Sequence, residues 1–321
     1  MARVSQLTVY PVKGCRGISL QQAQIGRTGI VYDRNWMIVD ERNGKFCSQR
    51  NIPKLALINT TLPMELFTGE WGAPPPDAAL HLTAPDQLPL EVPLDQSLLG
   101  TPQSRECTCW DWTGPAWDQG DEAARWLTNY IGRSVRLMRY AGNPSDSNPM
   151  DEPERRQVPQ VNSRFAPGTE IAFADFFPIL LTSEGGLAAL NAELEQPVPM
   201  NRFRPNIVMD DPQPFPEDTW ETFRIDSSDG GSLHFGSAYP CARCKVTTTN
   251  QATAEVGKEP LRTLKQIRSG KALDWTQEKA WKAQAFFGWL CVPLGEKIVA
   301  VGDTLHPMDH RDLSTLAATA A

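Results

Sequence analysis

The chain has 321 residues, a length that accommodates two domains and a substantial hydrophobic core. It is 40% hydrophobic and 21% charged with a formal net charge of −7, a folded composition that excludes a general nucleic-acid binder, whose footprint would be basic. Seven cysteines, an odd number, argue against a fully disulfide-paired secreted monomer, and 23 glycines with 27 prolines favour a turn-rich β fold over a helical bundle.

In chain order, residues 4–12 open as a strand rich in β-branched and aromatic side chains. No basic stretch followed by an apolar segment precedes it, and no run approaches the roughly 18 apolar residues of a membrane span, so the reading is cytoplasmic. Further short apolar runs at 30–39, around Trp36, and at 55–62 predict strands, and 71–76 predicts a surface loop. A helix is predicted over 121–131, with Trp126, Leu127, Tyr130 and Ile131 on one face, acids in the first turn and Gly132 as its stop. Residues 142–168 are polar and proline-rich, including Asp151, Glu152, Glu154, Arg155 and Arg156. They read as a solvated linker, with a lid over a site as the other reading.

A second helix is predicted over 183–195, capped by Thr182 or Ser183 and lined by Leu187, Leu190 and Leu194. Gly185 and Gly186 in its first turn would let an anion approach the helix N-terminus. Strand signals resume at 206–209, 222–225, 232–235 and 297–301. A third helix is predicted over 260–269, with Pro260 at its first position, Leu261, Leu264 and Ile267 inside, and Gly270 ending it. The expectation is a β-rich α+β protein: an N-terminal β-rich unit over 1–120, a β-barrel-like unit over 121–307 and a frayed tail over 308–321.

The sharpest local feature is Cys241-Ala242-Arg243-Cys244, two thiols three residues apart around a guanidinium that favours thiolate. Spacing alone leaves four readings open. They are inert buried thiols, a structural zinc site with Cys107 and Cys109, a redox pair, and a thiolate at a ligand site.

The motif and its surroundings resemble the MOSC family, in particular the mitochondrial amidoxime reducing components and bacterial YcbX-type proteins. The matching stretches, in order, are 10–17 (YPVKGCRG), 32–37 (YDRNWM), 181–184 with Leu187, Leu190 and Asn191, 202–208 (RFRPNIV), 241–244, 259–264 and 301–303. Together they cover roughly residues 4–305.

The resemblance implies a MOSC β-barrel-like domain preceded by a β-rich MOSC N-terminal domain, binding the molybdenum cofactor. It implies Cys244 as the molybdenum ligand and the catalytic position, with Cys241 a supporting neighbour. Lys13, Arg34 and Arg204 would face the cofactor's phosphate and pterin, with Arg202 a further candidate and Asn206 structural. Thr182 and Ser183 would add donors. Gly14 and Ala242 stand where the family carries serines, so contact there would come from backbone. Lys245, residues 249–253 and the loop 270–285 also depart from the family pattern.

The implied activity is reduction of N-hydroxylated compounds, N–OH to N–H plus water, with electrons from a separate cytochrome b5-, flavin- or ferredoxin-type partner. Neither a nucleic-acid polymer nor a membrane span is expected. The alternatives are a molybdenum-cofactor or sulfur carrier using Cys244, and a non-catalytic zinc or ligand-binding module.

Overall fold

The computed structural model describes residues 1–69, 74–100, 103–141, 156–159, 161, 163–275 and 279–316. The loop tip at 71–73, most of the 142–168 linker and the last five residues therefore lie outside the described residues.

The first strand, Ala2–Val9, buries Ala2, Val4, Leu7 and Val9. A register shift between Val4 and Gln6 keeps Leu7 on the inner face despite the odd spacing. The strand closes a seven-stranded barrel. Around it the order is Ile207–Met209, Ile179–Ser183, Ala285–Pro293, Ser232–Arg243, Trp220–Asp226, Thr304–His310 and Ala2–Val9, which pairs back onto Ile207–Met209. Ile179–Ser183 is buried at every position because both of its faces are covered. It runs parallel to Ile207–Met209. A parallel neighbour needs a crossover, and α2 (Glu184–Ala192) lies within it. Ser183 caps α2, its hydroxyl accepting the Gly186 N–H at 3.1 Å.

The N-terminal unit is built on three smaller sheets, one of which takes in Lys297–Ala300 from the far end of the chain. The largest has the order Trp36–Asp40, Val135–Tyr140, Trp112–Asp118, Ser104–Cys109. The helix α1 (Gly120–Ile131) buries Trp126, Leu127 and Ile131. It stops at Gly132, whose φ of +81° costs glycine nothing. No helix among the described residues is long and apolar enough to cross a membrane.

Several expectations change. The dividing line at 120 falls inside the N-terminal unit, because Val135–Tyr140 pairs with Trp36–Asp40 and Trp112–Asp118. The run at 55–62 is not one strand: Pro53 starts a 3-10 turn, Pro53–Leu57, and only Asn59–Thr61 is extended. The third helix, α3 (Leu261–Ile267), is shorter than expected. Pro260 sits just outside it as the cap, and Arg268 ends it. The expected tail carries barrel strand through His310, and Leu316 is buried. The strand expected at 232–235 runs on to Arg243, which delivers the cysteine motif to the end of the longest barrel strand.

Candidate functional site

A cleft of about 1280 Å³, counted to its open mouth, is lined from both the N-terminal unit and the barrel. Cys244 follows the Ser232–Arg243 strand, and the turn Lys245–Thr248 begins there, the Thr247 N–H reaching the Cys244 carbonyl at 3.1 Å. Of the seven cysteines, all free, Cys244 alone is not buried. Burial pushes the thiols of Cys15, Cys107 and Cys291 up to about 12 and Cys47 up to about 11. Burial also raises Cys241, against the Arg243 guanidinium, which donates to its sulfur at 2.7 Å. The arginine between the two thiols thus serves Cys241, not Cys244. Its other contact is the Phe203 carbonyl at 2.7 Å, and its Nε is buried without a partner.

Two arginines frame the Tyr10 ring, Arg34 at 4.4 Å and Arg204 at 4.3 Å from the centroid. Both have left-handed backbones, φ +48° and +56°, which cost non-glycine residues energy and persist where the surroundings hold them. Here the Arg34 N–H donates to the Tyr10 carbonyl at 2.8 Å, and the Arg34 carbonyl accepts from Phe173 at 2.9 Å. The Arg34 guanidinium is held by Asp33, the Asn206 side chain and the Arg204 carbonyl. Besides the Tyr10 ring, the Arg204 guanidinium makes one long hydrogen bond, to Gln251 at 3.5 Å, and no carboxylate pairs with it among the described residues. Burial, and then the Arg34 charge, hold its pKa below the usual arginine range.

Lys13 is buried, donating to the Phe173 carbonyl at 2.8 Å and to Asp175. The Asp175 side chain is more than half exposed, and Lys13 and the Trp110 indole N–H, at 3.0 Å, hold its carboxyl well below the usual carboxylate range. Asp175 owes its place to Arg156, which is 1% exposed and donates to the carbonyls of Ala172, Ala174 and Asp175. Gly14, at φ +88°, presents its carbonyl to Gln49 at 2.7 Å.

Of the expected site residues, Lys13, Gly14, Arg34, Arg204, Ala242 and Cys244 line the cleft. Thr182, Ser183 and Arg202 do not. The Thr182 hydroxyl faces the Met200 sulfur, and Ser183 donates to Glu217 at 2.7 Å. Arg202 is buried and clamps the carbonyls of Thr247, Thr248 and Glu259 at 2.8, 3.2 and 3.1 Å. Asn206 ties strands together, as expected: its side chain bonds the Leu180 N–H and the Thr8 carbonyl. Sequence reasoning missed Asp175, Arg50 and Trp110, which carry no local motif, and Arg156, which it placed in a solvated charge run. No group of three or more His, Cys, Asp or Glu able to hold a metal occurs among the described residues. Cys107 and Cys109 instead pack with Met37, Met138 and Phe173.

The donor set suits an anionic ligand that ends in a thiophilic metal. Lys13, Arg34, Arg50, Arg204 and Arg243 converge on a cleft whose lining includes one carboxylate, Asp175, and one accessible thiol.

Comparison with known proteins agrees with this geometry. Residues 1–134 match the MOSC N-terminal beta barrel domain, and residues 168–306 match the MOSC domain. The chain is 31% identical to the mitochondrial amidoxime-reducing component 1 of Xenopus laevis over 94% of this chain and 81% of that protein. It is 31% identical to component 2 of Bos taurus, over 95% and 83%, and 28% identical to human component 1, over 94% and 82%. The chain belongs to the MOSC-domain family that contains the amidoxime-reducing components. A solution structure from Bordetella bronchiseptica, 22% identical, covers 36% of this chain and 83% of that chain at a TM-score of 0.26, too low to argue from.

Proposed function

We propose that this protein binds the molybdenum cofactor in the cleft and reduces N-hydroxylated compounds to the corresponding N–H compounds and water, drawing electrons from a separate redox protein. The observation that carries this reading is the single accessible thiol, Cys244, in a cleft lined by five cations, of which Arg204 has no carboxylate partner among the described residues. When bound, the cofactor would supply two-electron oxygen abstraction from N–OH, chemistry no side chain here offers.

The chain's own part is binding and orientation. Arg204, lacking a carboxylate partner, is free to give its planar fork to a phosphate, and Lys13 adds a point charge. Arg34 is held in position by Asp33 and Asn206, so its remaining donors face the ligand without paying fresh ordering entropy. Cys244 offers the soft ligand to the metal, and the turn behind it is anchored by Arg202. Cys241, covered by Arg243, supports the strand end rather than the metal.

Metal and pterin analysis of protein made in a cofactor-competent host tests the reading. About one molybdenum and one pterin per chain are expected, as the resemblance implies. Cys244→Ser is expected to lose metal retention and turnover, while Cys241→Ser mainly lowers stability. Zinc in place of molybdenum and pterin, or a Cys244→Ser protein with full molybdenum and full reductase activity, would refute it.

A further inference from the structure

The charge of this chain is unevenly spread. Residues 243–282 carry nine basic and four acidic side chains, a net +5, so the other 281 residues hold a net −12. Arg243 lines the cleft, Arg262 pairs with Glu259, and the buried Arg268 pairs with Asp218. The remaining six, Lys245, Lys258, Lys265, Lys271, Lys279 and Lys282, are all exposed, and none forms an ion pair among the described residues.

Backbone hydrogen bonds join the segments that carry these lysines edge to edge. The Gly257 N–H donates to the Thr248 carbonyl at 3.1 Å, which ties the Lys245 turn to the stretch holding Lys258. The Arg262 N–H donates to the Lys258 carbonyl at 3.1 Å, leading into α3 and Lys265. Beyond α3, the Gly270 N–H donates to the Gln284 carbonyl at 3.0 Å and the Lys271 N–H to the Lys282 carbonyl at 3.3 Å. Lys271 and Lys282 thus set two ammonium groups on adjoining backbone with no carboxylate paired to either. Such like charges repel, and a one-sign surface on an oppositely charged chain serves association rather than folding.

This surface borders the cleft. Lys245 follows Cys244 directly. Trp281, between Lys279 and Lys282 in the chain, is buried and donates its indole N–H at 2.7 Å to the hydroxyl of Tyr239, which lines the cleft. Lys245 and residues 270–285 depart from the family pattern, so much of this surface is the chain's own.

We infer that the lysine surface formed by residues 245–248, 257–267 and 270–283 is the docking site of an acidic electron-carrier protein. The inference rests on the reductase reading, which calls for such a partner. Each turnover takes two electrons from the carrier and two protons from solvent as N–OH becomes N–H and water. A carrier held here stands beside the Cys244 end of the cleft, and complementary charge speeds its encounter and fixes its orientation. Nucleic acids and anionic membranes also attract lysines, but neither gives a reason for the charge to lie next to the one accessible thiol.

The test uses molybdenum- and pterin-analysed holoenzyme carrying Lys271→Glu with Lys282→Glu. The control carries Arg42→Glu with Arg125→Glu, the same charge change on exposed residues of the N-terminal unit. Cytochrome b5, flavodoxin and plant-type ferredoxin, three acidic carriers, are each supplied reduced at low and high salt. Reduced methyl viologen serves as a small donor that needs no docking. At least one carrier should drive wild-type turnover, and the lysine variant should lower kcat/KM for that carrier about tenfold at low salt and less at high salt. Methyl viologen turnover, cofactor content and Tm should stay at the wild-type level, and the control should stay within about twofold of wild type with the carrier. The inference falls if the lysine variant and the control behave alike, or if no carrier drives a wild-type protein that methyl viologen does drive. It falls too if the lysine variant loses only binding to phosphatidylserine vesicles or single-stranded RNA. Wild-type protein with no molybdenum and no methyl viologen turnover refutes the reductase reading instead, and calorimetric binding of the carriers to the same variants then decides the surface.

Discussion

Arg202 and Arg204 stand two residues apart and are expected to respond oppositely to the same change, arginine to glutamine. Arg204 has no carboxylate partner among the described residues, and both it and Arg34 sit over the Tyr10 ring, at 4.3 and 4.4 Å. Their charges are then no more than about 9 Å apart, a repulsion of about 2 kcal/mol at an effective dielectric of 20. Arg204→Gln relieves that repulsion and gives up a cation–π contact worth about 0.5–2 kcal/mol. The cofactor-free protein should therefore keep its stability within about 1 kcal/mol. Cofactor affinity, however, loses a charged hydrogen bond of about 1.5–3 kcal/mol, a drop of roughly 10- to 150-fold.

Arg202→Gln removes a cation that holds three carbonyls, those of Thr247, Thr248 and Glu259. A loss of about 3 kcal/mol is expected, lowering Tm by roughly 5–10 °C. Thermal unfolding of cofactor-free protein by circular dichroism gives the first quantity. Pterin fluorescence and molybdenum retained after graded reconstitution give the second. The reasoning is refuted if Arg204→Gln lowers Tm as far as Arg202→Gln, or if it retains cofactor like wild type.

Glu217 is fully buried, and burial followed by the neighbouring Asp218 charge raises its pKa from 4.5 to about 7. A raised folded-state pKa gives stability that is present below 4.5 and lost as pH climbs through about 7. Urea unfolding should show wild type losing roughly 3 kcal/mol across that window from this group, and Glu217→Gln should flatten the loss. Gly288→Ala should cost more than about 3 kcal/mol, because φ is +77° and the new Cβ would sit 2.6 Å from the Leu181 carbonyl; an unchanged denaturation midpoint would contradict this. Gly14→Ser, which restores the family's residue, should lower stability by about 1 kcal/mol at φ +88° without improving cofactor retention. Differential scanning calorimetry and pterin analysis would settle both halves.

What was readable in the sequence divides along physical lines. The stripe of α1 and its glycine stop follow from local periodicity, and the structure keeps both. The cleft cations Lys13, Arg34 and Arg204 were legible only because each sits in a contiguous motif. Asp175 and Arg156 were not, because their roles depend on partners the chain brings from elsewhere. Asp175 meets a lysine 162 residues away, and Arg156 reaches carbonyls up to 19 residues on. Composition made Arg156 look solvated, yet it is buried and donates to three backbone carbonyls, with no carboxylate paired to it among the described residues. Thr182 and Ser183 do not line the cleft, the Thr182 hydroxyl facing the Met200 sulfur instead. A helix cap spends its hydroxyl on its own helix, and here Ser183 spends its proton on Glu217 as well.

The stave that closes the barrel is Ala2–Val9, joined on one side to Ile207–Met209 and on the other to Thr304–His310. Ala2–Val9 thus waits for Thr304–His310, a separation of about 300 residues that makes folding slow and strongly nonlocal. Lys13 lies directly beyond that stave. The cleft lysine is therefore in its final place only once Thr304–His310 has been made and docked. Chains stalled before residue 304 should not close the barrel, and limited proteolysis of such truncations would show it.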